Sequence, residues 1–189
     1  MARPTASRAC HDEQVASSAP TSPELVADCS RCFGLCCVLL PFRAVDGFGA
    51  DKPGGQPCHH LEADDLCGIH EHLEKSGWPG CTAYDCQGAG QQVSQVTYAG
   101  VSWREQDNLP EMAAVLSVMR VLHGLLARLE GSTELALHER IVALTSGSPE
   151  ELLTLDLEDL EERVAAVSDS GARPSSTGSG AADGAPEAG

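Results

Sequence analysis

Cys29-Ser30-Arg31-Cys32-Phe33-Gly34-Leu35-Cys36-Cys37 places four cysteines within nine residues. Outward from it come Cys58, then Cys67 with His70 three residues on, then Cys81 and Cys86. Thiolates are soft, anionic and compact, the donors that zinc ions and iron–sulfur clusters take. A gap of two to four residues lets one turn offer two sulfurs to one metal, and Gly34, Gly68 and Gly80 free the backbone for such turns. The spacing therefore predicts a metal site, with disulfides or plain buried thiols as the competing reading. The predicted ligands are Cys29, Cys32, Cys36, Cys37, Cys58, Cys67, Cys81 and Cys86. His70 is read either as a further ligand or as a residue that hydrogen-bonds to one. His59, His60 and His72 are read as surface histidines, and Cys10 as a free thiol in a loose N-terminus.

The adjacent pair Cys36-Cys37 adds a constraint. In extended chain, neighbouring side chains point to opposite sides, so both reach one tetrahedral ion only through a strained backbone. Service to two metals is easier. Eight cysteines suit two four-cysteine sites, or one cluster plus a closed structural site.

Around this cluster the chain divides into four. Residues 1–22 and 169–189 read as disordered tails. The first is rich in Ala, Ser, Thr and Pro, and the second carries no large apolar residue. Neither could offset the entropy of ordering. Residues 24–107 form the predicted cysteine-cluster metal-binding domain, short of core residues, punctuated by Gly and Pro, and in need of a metal staple. Within it, Val93-Ser94-Gln95-Val96-Thr97-Tyr98 predicts a short strand.

Residues 108–168 read as a helical hairpin or bundle. Asn108-Leu109-Pro110-Glu111 resembles a capping box, and Met112, Val115, Leu116, Met119, Leu122, Leu125, Leu126 and Leu129 recur at helical spacing. Gly131 stops this helix. A second carries Leu135, Leu137, Ile141, Val142 and Leu144. A third starts at Ser148-Pro149-Glu150-Glu151 and runs on through Leu152, Leu153, Leu157, Leu160, Val164 and Val167. The fold class expected is thus a small irregular metal-stapled domain followed by α-helices, mostly α with little β. The apolar stripe serves the core, or a protein partner.

A net charge of −16, from 12 basic and 28 acidic residues, leaves no basic face for nucleic acid or for an anionic membrane. No apolar run was expected to approach the ~20 residues of a membrane span. Without an export signal the reading is cytoplasmic, where nine cysteines serve as metal ligands more naturally than as disulfides.

The runs Cys29 to Phe42, Asp51-Lys52-Pro53-Gly54-Gly55-Gln56-Pro57-Cys58, Leu66-Cys67-Gly68-Ile69-His70 and Gly80-Cys81-Thr82-Ala83-Tyr84-Asp85-Cys86, continuing to Gln91, resemble a known group. It is the cysteine-rich N-terminal module of bacterial pentapeptide-repeat proteins. The similarity extends through Trp103-Arg104 to about residue 160. More distantly, the CxxxCC core is similar to the YkgJ-type cysteine-cluster proteins, described as zinc- or iron-chelating. The resemblance implies a metal-chelating module with the eight cysteines as ligands. His70 matches the closer group, while the wider family often has Tyr there. This chain has His59-His60 where the closer group has Arg-Asn, and no five-residue repeat follows residue 168.

No P-loop, GxSxG, HExxH or Rossmann glycine pattern is present. The residues leave enzyme activity open, and this absence favours a module without catalysis. The function expected is a zinc or iron–sulfur module, structural or sensory, that docks a protein partner through its helices. An iron- or iron–sulfur-dependent redox enzyme and metal storage or trafficking are the alternatives.

Overall fold

The computed structural model describes residues 21–171. Residues 1–20, with Cys10, and residues 172–189 lie outside the described residues, and with them most of the two segments expected to be disordered. Residues 169–171 correct that expectation, because the last helix continues through them.

The described chain is mostly helical with almost no strand. Up to residue 88 the elements are short: α1 (Leu35–Leu39), α2 (Pro79–Ala83) and single turns at Cys29–Arg31, Ala44–Asp46 and His70–His72. Two isolated antiparallel bridges, Phe42 with Lys52 and Leu61 with Cys67, close the loops between them. Gly34 (φ +64°) starts α1 in the left-handed region, where a side chain would strain the backbone.

The strand expected at 93–98 does not form. Ala89–Gln92 is helical (α3) and runs into a π-helical turn at Val93–Thr97. Burial overrides β-propensity here. Ala89, Gly90, Gln91, Val93 and Ser94 all turn inward, and a helix can bury them together while the next strand needed for pairing is missing.

Helix α4 (Leu109–Leu129) is the centre of the molecule. Met112, Val115, Met119 and Leu122 are wholly buried on one face. Helices α5 (Leu135–Leu144), α6 (Pro149–Leu153) and α7 (Leu157–Gly171) pack on it, as do α1 and α3. Its start is where the sequence predicts, but the expected capping box is absent, since Asn108 makes no cap bond and its amide donates to Gln106 Oε1 at 3.4 Å. Gly131, at φ +74°, ends it as expected. At α6 the capping box is complete: Ser148 Oγ accepts the Glu151 N–H at 3.3 Å, and Glu151 Oε2 accepts the Ser148 N–H at 2.8 Å. The single third helix expected here is two, broken between Leu153 and Leu157.

Two apolar cores result. The larger joins α4–α7 with Leu35, Ala89 and Val93, so it crosses position 107 into the cysteine-rich part. The smaller has only Phe42, Cys58 and Trp78 fully inside. Cys32 packs against the larger core, and Cys37 and Cys81 pack against the smaller.

Helix α4 is long and apolar enough to cross a membrane, which corrects the expectation that no stretch is. A buried core helix passes the same test, and α4 is covered by five other helices.

Candidate metal centre

Residues 26–33, which carry Cys29 and Cys32, are held by side chains of α3 and the π-turn. Gln91 Oε1 accepts the Asp28 N–H at 2.9 Å and its amide donates to the Val26 carbonyl at 2.8 Å. Ser94 Oγ accepts the Phe33 N–H at 3.0 Å and donates to the Gly90 carbonyl at 2.9 Å. The Trp103 indole donates to the Phe33 carbonyl at 2.9 Å. Gly90 lets two thiols approach α3 closely. A Cβ there would stand 2.8 Å from Cys32 Sγ and 3.7 Å from Cys86 Sγ.

Two ionic groups fix the other walls. Lys52 Nζ donates to the carbonyls of Val38 (3.1 Å), Leu40 (2.6 Å), Pro53 (3.2 Å) and Gln56 (2.8 Å). It thereby ties the C-terminal end of α1, where the helix dipole favours a cation, to the loop that leads to Cys58. Asp65, itself at φ +65° and buried, accepts from Ser102 Oγ at 2.8 Å and Arg104 Nε at 2.6 Å, and Arg104 also donates to the Glu62 carbonyl at 3.0 Å. This pins the turn before Cys67 against the segment before α4.

These supports enclose a cavity of about 90 Å³ lined by Cys29, Cys32, Cys36, Cys37, Cys67, Cys81 and Cys86. Cys58, the eighth predicted ligand, is buried beside Phe42 and Trp78, and its N–H donates to the Cys37 carbonyl at 2.9 Å. His70 is exposed and lines the cavity rim. His59 and His60 instead set their rings edgewise to Trp78, at 5.4 and 5.1 Å between centroids. His72 is exposed and holds its Nδ1 2.8 Å from the Glu71 carbonyl. Cys36 and Cys37 lie in α1, not in extended chain, with their sulfurs 4.0 Å apart. The premise that they face opposite ways does not hold, since a helix sets successive side chains about 100° apart.

Burial and crowding favour the protonated form of Cys29, Cys32, Cys36, Cys67 and Cys81. Burial, then Cys36, Cys32 and Cys86, push the Cys29 thiol up to about 12. Burial pushes Cys32 and Cys81 up to about 11, and Cys67 upward. The contact with Cys37, then burial, holds Cys36 well above the usual thiol value. A thiophilic cation reverses this balance, because it compensates the charge that burial penalises.

Among the described residues, no three His, Cys, Asp or Glu side chains converge as a ready-made metal shell. Thiols are the donor type that a thiophilic ion takes, but here they do not close on one point. The Tyr84 hydroxyl is buried without a hydrogen-bond partner on the cavity wall, where it could donate to a thiolate, and the Arg120 guanidinium lies over its ring at 5.3 Å.

Sequence reasoning missed Tyr84, Lys52, Asp65 and Gln91 as parts of this site. Tyr84, Lys52 and Gln91 lie within the cysteine-rich runs and Asp65 borders one, but each acts across the fold, and no spacing signals such a contact.

No family model and no solved structure matches the chain. The "Uncharacterized protein YybG" of Bacillus subtilis (strain 168) is 40% identical over 153 residues, which cover 75% of this chain and 55% of that relative. The chain thus spans about half the length of the curated relative to which it is similar.

Proposed function

We propose that the protein is a metal-binding module, for zinc or an iron–sulfur cluster, in which the cysteine cluster staples the irregular lobe onto the helical one and presents a surface to a partner protein. The observation that carries this reading is that cysteines spread over 58 positions, Cys29 to Cys86, line a single enclosed cavity. Chance rarely gathers thiols so, and six of these are half-buried, where clustered thiols are costly unless they pair or bind metal. The resemblance to the cysteine-rich modules of bacterial pentapeptide-repeat proteins and to YkgJ-type chelating proteins points the same way. A cytoplasmic setting, where thiols stay reduced, suits it.

The small core of the irregular lobe, three residues fully inside, supports a structural role for the metal. The test is purification of the full chain without oxygen, followed by metal analysis and a visible spectrum. A colourless protein with stoichiometric zinc is the expected result for a structural module. Strong visible charge-transfer absorption would move the reading to the iron–sulfur redox alternative, and a protein that keeps no metal would sink both.

A further inference from the structure

Resting on that reading, we propose that the eight cysteines form two four-thiol sites that adjoin at α1. The first is Cys29, Cys32, Cys36 and Cys86. The second is Cys37, Cys58, Cys67 and Cys81.

The division follows from which walls the sulfurs share. Beside the main cavity lies a smaller one, about 20 Å³, and its only cysteines are the four of the first set. Gly90 forms its floor, with Cys32 and Cys86 sulfurs both against that glycine, and Tyr84 with its unpartnered hydroxyl closes its side. None of the second set reaches this cavity. Those four gather at the smaller apolar core instead. Cys58 lies inside it, Cys37 and Cys81 pack against it, and Cys67 is brought in by its bridge to Leu61, which packs there too. The Cys58 N–H to Cys37 carbonyl bond locks two members of this set together.

Cys36 lines both cavities, and its sulfur stands 4.0 Å from that of Cys37. Its place in the smaller cavity assigns it to the first, and the Cys58 bond assigns Cys37 to the second.

Each site holds one tetrahedral thiophilic divalent ion. Four thiols lose four protons to solvent as one dication binds, which leaves a net charge of −2 on each site. The Lys52 ammonium, beside Cys58, Cys37 and Cys36, offsets part of that charge on the second site. On the first site Arg120 lies over the Tyr84 ring at 5.3 Å, and the Tyr84 hydroxyl is a donor available to it.

The experiment uses the full chain expressed with cadmium-113 in place of zinc, read by metal analysis and cadmium NMR. Two ions per chain and two uncoupled resonances are expected. Folded Cys29→Ser should lose the first resonance and keep the second, and folded Cys67→Ser the reverse. Should either fail to fold, Gly90→Ala, whose Cβ would crowd the Cys32 sulfur at 2.8 Å, is expected to shift the first resonance alone. One ion per chain, cadmium–cadmium coupling through a shared sulfur, or loss of both resonances from a folded single variant overturns the two-site division and leaves metal binding standing. A chain that takes up no cadmium overturns the metal reading and this proposal with it.

Discussion

At the scale of single residues, Tyr84 and His123 make opposite demands on their surroundings. The Tyr84 hydroxyl is buried with no partner, so the metal-free fold gains nothing from it. A thiolate would give it an acceptor. Tyr84→Phe is therefore expected to weaken metal binding about tenfold or more, as loss of an outer hydrogen bond to a ligand does, while the metal-free chain unfolds at an unchanged or higher denaturant concentration. Competition against a chromophoric chelator measures the first, and guanidinium titration the second. His123 is wholly buried in α4. Its Nδ1–H donates to the Gln87 carbonyl at 2.6 Å and its Nε2 has no partner, so burial holds the imidazole below its usual value of 6.5. As pH falls, the unfolded chain takes up this proton before the folded one. The contribution of His123 to stability is thus present above about pH 6.5 and lost as pH falls below it toward the lowered folded value. His123→Gln keeps the donor and removes the titration. Denaturant unfolding followed by helix signal, with chelator present so that metal release plays no part, is expected to show a flatter acid limb for the variant.

At the scale of elements, caps and contacts across the fold decide what local pattern leaves open. The Ser148–Glu151 box satisfies the first N–H groups of α6, and Ser148→Ala is expected to cost about 1 kcal/mol, read as a lowered thermal midpoint with metal content unchanged. Lys52 acts on a larger span. Lys52→Met leaves the carbonyls of Val38, Leu40, Pro53 and Gln56 without their donor and is expected to destabilise the irregular lobe by about 2 kcal/mol. Hydrogen exchange should show faster opening over residues 37–58 than over α4. Equal acceleration in both would contradict the assignment of Lys52 to one lobe.

At the scale of the whole molecule, the two cores predict two stabilities. The helical lobe buries Met112, Val115, Met119, Leu122, Ile141 and Val164 completely, whereas the lobe carrying Cys37, Cys58, Cys67 and Cys81 has three residues inside. Full burial of a large apolar side chain contributes about 1.5–3 kcal/mol, so on the proposed function the first lobe is expected to stand without metal and the second to depend on it. Structural zinc supplies on the order of 10 kcal/mol to a fold it completes. Chelation under reducing conditions is expected to expose residues 37–81 to proteolysis while α4–α7 stay protected. Equal resistance of both lobes after chelation would remove the structural role from the metal.

The sequence by itself determined the helices after residue 108 and the identity of the soft donors. Apolar spacing over 112–129, Gly131 as a stop and Ser148-Pro149 as a start are local signals, because a helix closes its hydrogen bonds within a few residues. The eight cysteines were legible for a similar reason, since their chemistry belongs to the side chain and needs no fold to declare it. Tertiary structure decided the rest. It turned Val93–Thr97 from an expected strand into a π-turn, because Gln91 and Ser94 are needed on one side to hold residues 26–33. It put Cys36 and Cys37 on a helix, drew His59 and His60 away to Trp78, and left His70 at the cavity rim. Which thiols share a wall depends on Gly90, Lys52 and Asp65 reaching across tens of residues, and contacts of that kind leave no period in a sequence.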